Sequence, residues 1–141
     1  MRVHARAFVC DGKSDPGQMK QLLASANPGA LVLAAKAGSV RNAFFVEMLA
    51  AQTFRAESSG SLLANKPEID LLLRLAGTTQ ISRAIKEHGT HPGARSLLVV
   101  ADSKAVKSPK QLSGLELPRR QMTRPELMKV ERAALLNAQR P

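Results

Sequence analysis

The sequence contains no tryptophan or tyrosine, and four phenylalanines are its only aromatic residues. The core must therefore be packed with aliphatic side chains and alanine, and a single-strand nucleic-acid platform of stacked aromatics is disfavoured. The one cysteine, Cys10, excludes an internal disulfide and favours a reducing compartment. No apolar run approaches the roughly 18 residues of a membrane span. We therefore expect a cytoplasmic protein with no membrane partner.

Signatures of enzymes and of metal sites are equally scarce. Neither of the common glycine-rich phosphate loops is present. The three histidines, His4, His88 and His91, together with Cys10 make a poor ligand set for zinc, which needs three or four protein ligands. Only His4 lies near Cys10 in sequence, so no neighbouring base activates that thiol strongly. The sequence predicts no catalytic residue, no cofactor and no metal.

Positive charge is what the sequence has in excess. The net charge is +10, from 21 basic and 11 acidic residues. Such a balance on a small protein favours a polyanionic partner, with nucleic acid first and an anionic membrane surface second. An ordinary basic surface is the alternative. The excess is concentrated at one end, because nine basic and four acidic residues lie from Asp102 onward.

A chain of 141 residues suits one domain with one core. Short apolar runs predict strands at residues 3–9, 30–35 and 96–101, the first with Val3, Ala5, Ala7 and Val9 on one face. The polar stretch 103–117 is ambiguous, with a short helix start at Ser108-Pro109. We predict a mixed α/β fold over residues 1–141, in which a small sheet of three to four strands packs with several helices.

Capping signals predict where the helices begin. The predicted caps are Asp15, Ser39, Asn65 and Thr123. The helix from Ser39 runs to about Arg55, and the last helix runs to about Asn137 on the face Leu127, Val130, Ala134 and Leu135. The helix from Asn65 is interrupted at residues 77–79. A second helix then extends to Gly89, with Ile81, Ala84, Ile85 and His88 on its inner face.

The interruption at residues 77–79 is the best candidate for an RNA contact. A helix N-terminus offers free N–H groups for a phosphate, and Thr78 and Thr79 add hydroxyls. Ordinary capping by these threonines is the alternative. An exposed Ile81 could pack against one unpaired base. The candidate RNA-binding residues are Lys66, Arg74, Thr78, Thr79, Gln80, Ile81, Arg83 and Lys86.

These residues also carry a family resemblance. Residues 71–89, LLLRLAGTTQISRAIKEHG, resemble the archaeal members of the PRPK-binding protein family, the CGI-type small subunit of the KEOPS complex. The family pattern is a leucine-rich helix, a small-residue break, Gln-Ile, a short amphipathic helix, a glycine and a hydrophobic strand. VERAALL at residues 130–136 is similar to the family's closing signature. The matching parts cover roughly half of the chain in the family's order.

The resemblance implies a non-catalytic role in making threonylcarbamoyladenosine on tRNA. It implies that the chain binds the small kinase/ATPase subunit and captures tRNA by its 3′ CCA end. Through the kinase it would meet the threonylcarbamoyl transferase subunit and the dimerising subunit. Arg41 is a further RNA candidate on this basis. Thr79 departs from the family, whose members often carry a basic residue just before Gln-Ile. The alternative function is a scaffold that activates the kinase without binding RNA.

Overall fold

In the computed structural model, which describes residues 2–139, one antiparallel sheet forms the centre of the fold. Its strands are β1 (His4–Cys10), β2 (Leu31–Lys36) and β3 (Ser96–Asp102). The strand order is β1-β3-β2, so the last strand in sequence is the middle one, and Val99 pairs with Ala7 on one side and Leu33 on the other. The mixed α/β class and the small sheet are confirmed.

Both faces of this sheet are covered, which explains why β3 is almost wholly apolar. The predicted alternation in β1 is confirmed: Val3 and Ala7 belong to one buried cluster, and Phe8 belongs to another. The first cluster lies between the sheet and three helices, α2 (Ala43–Ser58), α3 (Pro67–Ala76) and α5 (Arg124–Ala134). The second lies between the sheet, the helix α1 (Pro16–Ala26) and a short 3-10 turn at Lys110–Leu112. One short helical turn therefore follows the predicted start at Ser108-Pro109.

The helices are α1 (Pro16–Ala26), α2 (Ala43–Ser58), α3 (Pro67–Ala76), α4 (Ile81–His88), α5 (Arg124–Ala134) and α6 (Leu136–Gln139). Two predicted caps are confirmed: Asp15 accepts from the Gly17 N–H, and Thr123 forms a capping box with Glu126. Within residues 2–139, none of these helices has the length and apolarity needed to cross a membrane.

The other two predicted caps are wrong. The helix α2 begins four residues after Ser39, and Asn42 caps it by accepting from the Phe44 N–H. Ser39 instead lies in the turn after β2, with its hydroxyl against His88. The helix α3 follows Lys66 rather than Asn65, and it has no side-chain cap. Pro67 explains this start, because its missing N–H needs no cap partner.

The predicted inner faces of two helices are also partly wrong. Ile81 and Ile85 of α4 are exposed, and only Ala84 of that helix is fully buried. In α5 the buried residue is Ala133, whereas the side chains of the predicted residues Leu127, Ala134 and Leu135 are exposed. Periodicity locates an apolar face correctly, but it does not reveal whether the rest of the chain covers that face.

Candidate nucleic-acid interface

The break between α3 and α4 is built on a glycine. Gly77 ends α3 with a φ of 70°, the left-handed conformation that favours glycine, and its N–H donates to the Leu73 carbonyl at 2.8 Å. Thr78 is buried, and its hydroxyl accepts from the Gln80 N–H at 3.1 Å. Thr78 thus has the ordinary turn-capping role that was the alternative to a phosphate contact. Thr79 is half-buried and Gln80 is exposed.

The helix α4 lies on the surface with little of itself buried. Ala84 is its one fully buried residue, and His88 is half-buried with Nδ1 2.9 Å from the Ser39 hydroxyl. Ile81 is 45% exposed and Ile85 is 52% exposed. These two isoleucines are one turn apart and share a face. A surface helix normally packs such side chains against the core, whereas here they leave apolar area exposed on α4.

Basic side chains accompany the two isoleucines. Arg83 pairs with Glu87 at 2.9 Å, and this hydrogen bond holds the pKa of the Glu87 carboxyl below its usual value. Lys86 is exposed and has no ion-pair partner among residues 2–139, and Lys66 likewise. The exposed residues Gln80, Ile81, Arg83, Ile85 and Lys86 are called the α4 surface here. The two isoleucines share one side of the helix, whereas Arg83, two residues from each, lies on another side.

The structure removes Arg74 from the candidate RNA-binding residues. Its side chain is only 2% exposed, and its Nε donates to Asp70 Oδ1 at 2.7 Å. A second nitrogen donates to the Ala133 carbonyl at 3.1 Å, and a third to Asn137 Oδ1 at 2.9 Å. A guanidinium so enclosed cannot reach a phosphate outside the protein. The prediction for Arg74 is therefore wrong, because sequence alone did not distinguish an exposed cation from a buried one.

Arg41 is not part of the α4 surface. It lines a cavity between the turn after β2 and the start of α5. It lines this cavity together with two basic residues that the sequence interpretation overlooked, Arg120 and Lys129. The excess of positive charge after Asp102 is the one feature of the sequence that pointed to these two residues. Because α5 begins beside the turn after β2, the fold brings these distant parts of the chain together.

Cys10 and His88 show what acid–base chemistry the chain offers. Cys10 is buried, and that burial, followed by the charge of Asp11, raises the pKa of its thiol, which keeps it protonated at neutral pH. Burial lowers the pKa of His88, and the positive charges of Lys129 and Lys36 lower it further despite the opposing Glu87. Across residues 2–139, no three side chains of His, Cys, Asp or Glu lie close enough together to hold a metal ion.

The sequence matches no protein-family model, and no curated protein matches it.

Proposed function

We propose that this protein is a non-catalytic subunit of the KEOPS type, which binds the 3′ CCA end of tRNA and the small kinase/ATPase subunit. The observation that carries the proposal is the α4 surface, where exposed isoleucines and cations share one short helix. An unpaired base offers an apolar face to Ile81, and Lys86, together with Arg83 once it leaves Glu87, supplies positive charge for the neighbouring phosphates. This function places the protein in the cytoplasm.

The mechanism of such a subunit is positional. Cationic contacts to phosphates supply most of the affinity, and contacts to unpaired bases supply the selectivity for an open 3′ end. Holding the acceptor end lets the anticodon loop reach the active site of the transferase subunit. The chemistry is done elsewhere in the complex, so the chain itself needs a rigid helix and no nucleophile.

The kinase contact is proposed to use α5. Leu127, Met128 and Leu135 are 46%, 60% and 64% exposed. Leu135 caps the end of α5 in a helical conformation, and its spacing of seven residues from Met128 places the two on the same side. Large exposed aliphatic side chains rimmed by charged residues are typical of protein interfaces. The same α5 surface favours the second candidate function, a scaffold that activates the kinase without binding RNA.

A titration of RNA binding tests the leading proposal. Wild-type protein should bind tRNA with its CCA end more tightly than tRNA from which that end has been trimmed. The double variant Arg83→Glu with Lys86→Glu should weaken binding and lower the salt dependence of the affinity. A filter-binding assay at several salt concentrations measures both effects.

A second pair of variants separates RNA binding from kinase binding. Leu127→Ser with Leu135→Ser should abolish co-purification of the kinase and leave the affinity for tRNA unchanged. If wild-type protein captures the kinase but does not bind tRNA, the scaffold function replaces the leading proposal. Equal binding of tRNA with and without its CCA end would refute capture by that end. Co-purification that survives the α5 changes would place the kinase contact on another surface.

A further inference from the structure

A cavity of about 480 Å³ lies between the turn after β2 and the start of α5. Three basic residues and one acidic residue line it: Arg41, Arg120, Lys129 and Glu126. The hydroxyl-bearing residues Ser39 and Thr123 also line it. With one carboxylate against three cations, the lining carries a net charge of +2. A concave surface of this sign concentrates anions.

The backbone of Arg120 is held in place by Asn42. The Asn42 side chain accepts from the Arg120 N–H at 3.1 Å and donates to the Arg120 carbonyl at 3.0 Å. The same Asn42 oxygen caps α2 by accepting from the Phe44 N–H. Asn42 is 1% exposed, so this clamp is shielded from water. Arg120 therefore emerges at the cavity from a fixed point of the backbone.

The one carboxylate of the cavity is already engaged. Glu126 accepts from the Thr123 N–H at 2.9 Å and from the Thr123 hydroxyl at 3.1 Å. Burial would raise the pKa of Glu126, but hydrogen bonds from Thr123 and Asn42, together with the positive charge of Arg120, outweigh it and lower this pKa. Glu126 caps α5 and forms no ion pair closer than 4 Å among the described residues.

Four of the described arginines form ion pairs with carboxylates, and the three cations of the cavity form none. Arg6, Arg83 and Arg119 each pair with a glutamate at 2.9 Å. In the part of the chain that the structure describes, Arg41, Arg120 and Lys129 have no such pair. Of the three, Lys129 also acts on His88, whose pKa its positive charge helps to lower. These charges are thus available to an anion from outside.

We propose that this cavity binds a phosphate group of the RNA backbone, as a second contact beside the α4 surface. The inference rests on the proposed function. Two guanidinium groups match the geometry of phosphate oxygens, and Lys129 adds a point charge. The cavity adjoins the C-terminal end of α4 through the His88–Ser39 contact. Eight helical residues span about 12 Å, so one RNA molecule can reach both surfaces.

The test compares matched charge reversals on two RNA molecules. Arg120→Glu with Lys129→Glu should weaken binding of whole tRNA and reduce the slope of log affinity against log salt by about 0.9, the contribution of one phosphate contact. Binding of a short single strand ending in CCA should not change. The control Lys107→Glu with Lys110→Glu makes the same charge change beside Leu112, whose cluster packs on the opposite face of the sheet. It should leave the salt slope for whole tRNA unchanged.

The outcomes distinguish this inference from the proposed function. If wild-type protein binds tRNA but the cavity variant keeps the full slope, only the inference is overturned. If wild-type protein binds neither RNA, the proposed function fails first. Binding of free pyrophosphate to the wild-type protein and to the cavity variant is measured as well. If the variant loses pyrophosphate binding while its tRNA binding is unchanged, the cavity is a site for a small phosphorylated molecule, and the inference is also overturned. Arg41→Ala, a milder change, should produce a smaller loss of slope in the same direction.

Discussion

The consecutive helices α3 and α4 are of similar length but are organised in opposite ways. In α3 even the charged residues Asp70 and Arg74 are buried, whereas in α4 even the aliphatic residues Ile81 and Ile85 are exposed. The helix α3 packs against α2, α5 and the sheet, and α4 touches the sheet and α3 at its edge. Burial therefore follows from the surrounding elements, and the composition of a helix does not determine it alone.

The buried side chains of Asp70 and Arg74 in α3 are stabilised by hydrogen bonds to their polar atoms. Asp70 accepts from the Thr53 hydroxyl at 2.6 Å and from the Leu63 N–H at 2.9 Å, besides Arg74. Arg74 in turn binds the carbonyl of Ala133 in α5. No buried side-chain nitrogen or oxygen among residues 2–139 lacks a hydrogen bond. One ion pair thus joins α2, α3 and α5 beneath the surface.

Removing the guanidinium of Arg74 should have the largest effect on stability. We expect Arg74→Ala to lower the free energy of unfolding by about 3–5 kcal/mol, because it leaves the Asp70 carboxylate buried without a counter-charge. Urea unfolding followed by circular dichroism measures the loss. The exposed pair on α4 provides the comparison: Arg83→Ala should leave the unfolding midpoint unchanged.

A double variant checks the cause of that loss. Arg74→Met with Asp70→Leu removes both charges, and it should recover much of the stability because no buried charge is left unpaired. If Arg74→Ala alone lost less than about 1 kcal/mol, the pair would contribute little more than an exposed one, and the contrast between α3 and α4 would lose its energetic basis.

On α4, enlarging the buried Ala84 should destabilise the protein more than truncating the two exposed isoleucines. Ala84 is fully buried, so Ala84→Leu should overpack its site and destabilise the protein by about 1–3 kcal/mol. Ile81→Ala with Ile85→Ala removes far more apolar surface but should change the stability by no more than about 0.5 kcal/mol for each residue. Thermal and urea unfolding check both. A large loss on truncating the isoleucines would mean that α4 buries them in solution.

Local signals in the sequence predicted most helices and strands correctly. The helix caps and the buried side chains that depend on tertiary contacts were not predicted. Asp15 caps α1 as predicted because that hydrogen bond needs only neighbouring residues. The cap at Asn42 also depends on Arg120, which is 78 residues away, so Ser39 was the plausible choice from local pattern alone. Arg74 failed as an RNA candidate for the same reason, since its partner Ala133 comes from another helix. The RNA and kinase contacts themselves remain predictions.

The smallest expected effect concerns His88, the half-buried end of α4. Unlike Arg74, which has a buried carboxylate beside it, His88 faces Lys129 and Lys36 as well as Glu87, and its pKa is lowered mainly by burial. Its imidazole therefore binds a proton more weakly when folded than when unfolded, where the pKa is about 6.5. The stability it contributes is present above pH 6.5 and should be lost as the pH falls below that value. The lowered pKa values of Glu87 and Glu126 affect the stability only below about pH 4.5, so the two pH ranges are separate.

Urea unfolding between pH 7.5 and about 5 measures the effect of His88. The loss of stability should appear in wild-type protein and in a His91→Asn control, but not in His88→Asn. If the stability of His88→Asn still falls over this range, another group is responsible for the loss.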